Sequence, residues 1–252
     1  RRPTGSVPPG PALLQFVDVS SGPRFVIAEP RHGSLPMLLL VLTLVTGVID
    51  AVSLLTLGRV FVANMTGNVV VTGFAIAGVP DYSLPTSLAA LACFMIGAAI
   101  AGRLLVDKIA DRGELLRASV LVEAVLIAIC LVIVLVRPPV VDSPPTIATA
   151  AVAALAMGVQ NTLARRVGVP DLTTTLISMP MVGLAADHRH TNRPAVIRRA
   201  SAIICLMAGA FLGALAIHVG GAALALGVIL VLLGGVALTA HVLIRRGPDW
   251  EN

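Results

Sequence analysis

The sequence predicts an all-α, polytopic membrane protein with six full transmembrane helices and two short re-entrant or broken helices. Its two halves read as an inverted 3+3 repeat. Three observations lead there. The chain is 57% hydrophobic and only 12% charged, more apolar than a soluble domain of 252 residues needs for its core. Its apolar runs are continuous and close to the ~20 residues that cross a bilayer as helix, whereas a membrane barrel would alternate. And most Lys and Arg residues fall between those runs, the pattern of cytoplasmic loops.

Residues 1–33 are punctuated by Pro, Gly and Ser and read as a disordered tail. The run Phe25 to Ala28 is too short for the core of a signal peptide. Residues 34–246 read as one integral membrane domain and 247–252 as a C-terminal tail. The apolar runs are 36–57, 61–78, 84–106, 119–136, 146–163, 172–187, 200–219 and 222–244. Runs 61–78 and 172–187 are the shortest or most polar, and the second carries Pro180 and opens on Thr173, Thr174 and Thr175. Both suit re-entrant helices, whose irregular backbone is tolerated only against protein or a water-filled cavity.

Cation placement favours that arrangement. With the N-terminus cytoplasmic and both short runs re-entrant, Arg103, Lys108, Arg112, Arg117, Arg165, Arg166, Arg189, Arg193, Arg198, Arg199, Arg245 and Arg246 face the cytoplasm. Arg59 and Arg137 face out. If both short runs crossed, the loop from Arg103 to Arg117 and the Arg165–Arg166 pair would move outside, against the rule. A seven-span arrangement, with only 61–78 crossing and the N-terminus outside, loses on Arg24 and Arg31. The expected location is the inner cell membrane, multi-pass, with both termini cytoplasmic.

Each half then reads span, re-entrant run, span, span, over 36–136 and 146–244. Two polar segments occupy corresponding places. The first, Gly47 to Asn68, carries Asp50, Arg59, Asn64, Thr66 and Asn68 within very apolar sequence. The second, Gly158 to Thr175, is a weaker echo with Asn161, Asp171, Thr173 and Thr174. Each begins Gly-Val-x-[Asp/Asn] and reaches a second Gly ten or eleven residues on. Asp50 and Asn161 lie at similar depths in the first and fourth spans. Small residues four apart (Gly97 and Ala101, Ala98 and Gly102, Gly209 and Gly213) suit close helix packing, within the chain or in a homo-oligomer.

The string TGVIDAVSLLTLGRVFVANMTGNVVVTGFAIAG, Thr46 to Gly78, resembles the YoaK-like family of bacterial multi-span membrane proteins, a domain-of-unknown-function family. AMGVQNTLARRVGVPDLTTT is similar to the same family's second segment. The likeness spans residues 36–244. It implies a multi-span inner-membrane protein of about this length and carries over no activity.

The candidate substrate-binding residues are Asp50, Asn64, Thr66, Asn68, Asn161, Asp171, Thr173 and Thr174. An ionisable group at bilayer depth is costly and marks a site by default. Asp50 can therefore bind a cation or cycle a proton; the structural reading bonds it to Ser53. Asn64, Thr66 and Asn68, like Asp171 with Thr173 and Thr174, can line the N-terminus of a half-helix, where free N–H groups favour anions and polar solutes. Capping alone is the plainer reading. Arg59 faces a vestibule or reaches for the outer headgroups. Glu123 is expected to pair with Arg117, and His218 and His241 receive no role.

Catalytic patterns are missing: the sequence has no nucleophile beside a base, HExxH pair, phosphate loop or paired carboxylates, so no enzyme is expected. No cofactor or metal is expected either. Cys93, Cys130 and Cys205 have no metal spacing and read as small core residues. The expected partners are the lipid bilayer and a small polar solute or ion, with no nucleic acid. Two functions remain: a small-solute transporter or channel with a polar site at the midplane, or a non-catalytic membrane scaffold or partner subunit.

Overall fold

The computed structural model describes residues 34–170, 172–175, 177–186 and 193–245; the expected terminal tails and Asp171 lie outside them. The described residues are all helix and loop. Helix α1 is Leu35–Thr56, α2 is Met65–Ile76, α3 is Leu84–Ala101 with a π turn at Gly102–Val106, and α4 is Arg112–Val136. Helix α5 is Pro144–Val167, α6 is Ser178–Ala186, and α7 is Arg193–Arg245.

Local chemistry sets these boundaries. Pro36, Pro85 and Pro144 stand in the first turns of α1, α3 and α5, where a missing N–H costs nothing. The Ser83 hydroxyl accepts from the Thr86 N–H at 3.2 Å, and the Asp111 carboxylate accepts from the Glu114 N–H at 2.6 Å. Each satisfies a donor that the first helical turn leaves open. Gly168 closes α5 in the left-handed conformation, φ 64. The runs 200–219 and 222–244 are two helical limbs of α7 that meet at a kink. Gly221 (φ 72, ψ −173) breaks the helical path without a connecting loop, a conformation open mainly to glycine.

Five helices are long and apolar enough to cross a membrane, the last holding both limbs of α7. Their outward faces are apolar: Met95, Val132, Phe211 and Val231 are all well exposed. A soluble protein would not display so much contiguous apolar surface, so a lipid bilayer is the natural surround. Helices α1 and α5 form the interior, with 72% and 61% of their most apolar windows buried. The chain is a polytopic helical membrane protein.

The first short run leaves and returns at the same end of the bundle. Gly58, just after α1, lies near Ser83 and Val141, and Arg59 pairs with Asp81 at 3.6 Å. The 57–83 segment therefore begins and ends beside the α4–α5 connection, with α2 between. At the opposite end, Arg117 near the start of α4 meets His241 near the end of α7 at 3.2 Å. Gly183 of α6 lies against the Arg199 guanidinium, near the start of α7.

Two close crossings hold the bundle. Gly47 of α1 faces the Leu206 carbonyl and the Ala210 N–H of α7. Gly158 of α5 faces the Phe94 carbonyl and the Ala98 N–H of α3 in the same way. Reciprocally, Gly209 faces the Leu44 carbonyl, and Gly97 faces the Leu155 carbonyl. A side chain at any of the four positions would enter the neighbouring backbone. Small residues allow this contact where no water-driven force presses helices together.

Candidate functional site

The site is assembled from the helix turn beyond each crossing glycine. On α1, Thr46 and Asp50 are four residues apart and so share a face. On α5, Gln160 and Asn161 follow Gly158. Gln160 is fully buried and was not among the residues expected from sequence. Its amide nitrogen donates to the Thr46 hydroxyl at 2.8 Å and to the Thr174 hydroxyl at 3.2 Å. The Thr46 hydroxyl already donates to the Leu42 carbonyl at 3.0 Å. It must therefore accept from Gln160, which fixes the orientation of that amide. Gln160 thus ties α1 to the loop preceding α6.

The neighbouring residues repeat the theme. The Thr175 hydroxyl donates to Asn161 Oδ1 at 3.1 Å. The Ala63 backbone N–H faces the Asp50 carboxylate, so the loop preceding α2 lies against Asp50 as the loop preceding α6 lies against Asn161. Three oxygens in this region are buried and find no donor among the described residues: Asp50 Oδ1, Asn64 Oδ1 and Gln160 Oε1. Such orphaned acceptors cost about 1–3 kcal/mol each, more for a charged one. Thr174 is 2% exposed and sits in the left-handed region at φ 60, a conformation that costs a β-branched residue about 1–3 kcal/mol and tends to persist where function uses it.

Not every expected site residue joins this cluster. Asn68 is buried, but its amide is occupied: Oδ1 accepts from the Phe61 N–H at 2.8 Å, and Nδ2 donates to the Phe61 carbonyl. It clamps the loop before α2. Thr66 is exposed on α2, and Thr173 is exposed beside the cluster. Asn64 stands at the N-cap of α2 but makes no capping bond, so the plain capping reading fails there. Ser53 bonds the Asp50 backbone carbonyl at 3.1 Å, not its carboxylate as the structural reading of Asp50 required. The expected Glu123–Arg117 pair does not form. Arg117 turns to His241 at 3.2 Å and Glu114 at 3.4 Å, while both carboxyl oxygens of Glu123 lack a donor among the described residues.

Clefts open at both ends of the bundle, and one of them reaches the cluster at Asn161. One of about 510 Å³ is lined by Asn161, Arg165, Gly168, Pro170 and Thr173, at the end of α5. The other, about 520 Å³, is lined by Leu54, Arg59, Phe61, Gly67, Phe74 and Tyr82, at the end of α1. Arg59 itself pairs with Asp81 in the open, their side chains 59% and 69% exposed. Among the described residues, no group of three or more His, Cys, Asp or Glu side chains could hold a metal.

Comparison with known proteins agrees with this picture of a helical membrane protein. The chain is 30% identical over 190 residues to the UPF0700 transmembrane protein YoaK of Bacillus subtilis (strain 168), covering 71% of this chain and 82% of that one. No solved structure matches. The family model described as "Protein of unknown function (DUF1275)" matches residues 38–239, and with the YoaK likeness it establishes that the chain belongs to this family of YoaK-like transmembrane proteins.

Proposed function

We propose that the protein is a small-solute transporter or channel of the inner cell membrane, with its polar site between two inverted halves. The observation that carries this reading is the Gln160 amide, buried and bonded to both Thr46 and Thr174. It joins the first half to the second where orphaned polar oxygens gather. Polar groups at membrane depth are expensive and are retained chiefly along solute and ion pathways.

The repeat is supported atom by atom. The carbonyl and N–H that meet Gly47 come from residues three before and one after Gly209. Those that meet Gly158 come from residues three before and one after Gly97. A duplication relating α1 to α5 and α3 to the first limb of α7 produces both crossings. In this reading the limbs 193–220 and 222–245 of α7 each cross, giving six spans, and α2 and α6 re-enter from opposite faces. The end carrying Arg103, Lys108, Arg112, Arg165, Arg166 and Arg245 is then cytoplasmic, as are both termini. Inverted repeats with a site at their interface serve alternating access in many transporters, and the cleft lined by Asn161 supplies an approach from one side. The reading assigns the chain no catalysis and no resident cofactor.

The test is solute flux. Cells overproducing the protein and cells lacking it are compared by untargeted measurement of intracellular and released small solutes. The expected result is a solute class whose distribution changes in opposite directions in the two strains and whose change is lost with Gln160→Leu. Unchanged solute distributions in both strains would overturn the reading.

A further inference from the structure

We propose that the Asp50–Gln160 region is a binding site for one monovalent alkali cation, which couples to solute movement. The coupling rests on the transport reading above; the cation site does not. The donor inventory of the cluster points to this ligand. Gln160 spends its amide nitrogen on Thr46 and Thr174, and Thr46 spends its hydroxyl proton on Leu42. The fully buried polar atoms of the cluster left without a partner among the described residues are all acceptors: Asp50 Oδ1, Gln160 Oε1 and Asn64 Oδ1. An anion would meet oxygen where it needs N–H or O–H groups. A cation would meet the hard oxygen ligands that alkali and alkaline-earth ions take.

Proximity follows from connections already described. The Asp50 carboxylate faces the backbone N–H of Ala63, the residue before Asn64. Gln160 is bonded to Thr46, one turn before Asp50 on the same face. The charge count selects the valence. Among the described residues Asp50 is the carboxylate of the cluster, and the remaining oxygens are amide and hydroxyl. Arg59 is engaged with Asp81 at the surface. One negative charge matches one monovalent ion, whereas tight divalent sites collect several carboxylates. Glu123 is a second buried carboxylate with orphaned oxygens. It lies on α4, outside this network, and serves as a control.

The experiment uses the full chain purified in detergent, with thermal unfolding followed in chloride salts of lithium, sodium, potassium and N-methylglucamine at equal ionic strength. A ligand that binds only the folded state raises the melting temperature saturably. The expected result is a saturable rise of about 5 °C or more with at least one alkali ion over N-methylglucamine. Asp50→Asn should abolish that ion-dependent difference whatever its own melting temperature, Gln160→Leu should reduce it, and Glu123→Gln should keep it. Equal melting temperatures in all four salts would overturn the site, as would an equal ion-dependent rise in Asp50→Asn. A response that follows the anion when chloride is replaced by sulfate would also overturn it. Solute flux without alkali-ion dependence would remove the coupling and leave the transport reading standing. An ion-dependent melting temperature without solute flux would remove the transport reading and leave the cation site standing.

Discussion

Replacing the crossing glycines by alanine tests the duplicated packing. In Gly47→Ala the new methyl would stand 2.6 Å from the Ala210 nitrogen and 2.9 Å from the Gly209 carbonyl carbon, and closer still to the Leu206 carbonyl oxygen. Ordinary contact begins near 3.4 Å, so α1 and α7 must separate by roughly 1 Å at a backbone contact that no rotamer change can relieve. Overpacking of this kind costs about 1–3 kcal/mol, against a gain of about 1 kcal/mol from replacing glycine within a helix. Gly158→Ala meets the same two backbone atoms on α3, with the Ala98 nitrogen at 2.9 Å. Both variants should therefore lose stability by similar amounts, a net loss of up to about 2 kcal/mol, or up to about 8 °C in melting temperature. Gly73→Ala on α2 has nothing within 4 Å of the added methyl and should be neutral or gain about 0.5–1 kcal/mol. Unfolding can be followed by a thiol-reactive fluorophore, since Cys130 is fully buried in the folded chain. If Gly47→Ala and Gly158→Ala melt like Gly73→Ala, the close crossings are wrong. If only one is damaged, the equivalence of the two halves is wrong.

Other expectations follow from the polar contacts. Asn68→Ala removes both bonds to the Phe61 backbone and should destabilise by about 1–3 kcal/mol, with faster proteolysis within 57–64 as the local readout. Asn68→Asp, which retains the acceptor but loses the donor, should fall between wild type and alanine in the same assay. Asp50→Asn keeps shape and hydrogen bonding but removes the charge. It should abolish coupled solute movement while leaving the purified chain folded, as measured by flux in reconstituted vesicles beside circular dichroism. Arg117→Ala leaves His241 without its donor at 3.2 Å and should lower the melting temperature by about 2–4 °C, from a lost bond near 1 kcal/mol. His241→Ala should cost a similar amount, with a double mutant no worse than either alone.

Much of the frame was legible because membrane burial constrains sequence so strongly. The apolar runs located every helix, and cation spacing pointed to the return of segment 57–83 to the end it left. Gly97 and Gly209 stood out through small residues four positions on. Their partners Gly47 and Gly158 also stood out, but as the opening letters of the two polar segments, with no sign that they are points of helix contact. The site was legible in part for a related reason. Asp50, Asn64, Asn161 and Thr174 drew notice as polar residues in apolar surroundings, and each lies in or beside the cluster. Gln160 did not, because Asn161 is the residue that aligns with Asp50, and a single amide following Val159 has no periodic signature. Asn68 shows the opposite limit. Its residue type suggested a ligand, yet its register places it seven residues from Phe61, where it closes a loop. The break at Gly221 fell where runs 200–219 and 222–244 part, but their composition carried no sign that the two limbs join without a loop.

Cysteine accessibility tests the inverted arrangement most directly. Single cysteines at Asp81, Asp142, Lys108 and Gly168, in a background without Cys93, Cys130 and Cys205, are challenged with an impermeant thiol reagent in intact and permeabilised spheroplasts. Asp81 and Asp142 should react from outside, and Lys108 and Gly168 only after the cytoplasmic face is opened. If Asp81 reacts only from the cytoplasm, or Asp142 and Lys108 react from the same side, the re-entrant segments and the inverted halves fall together.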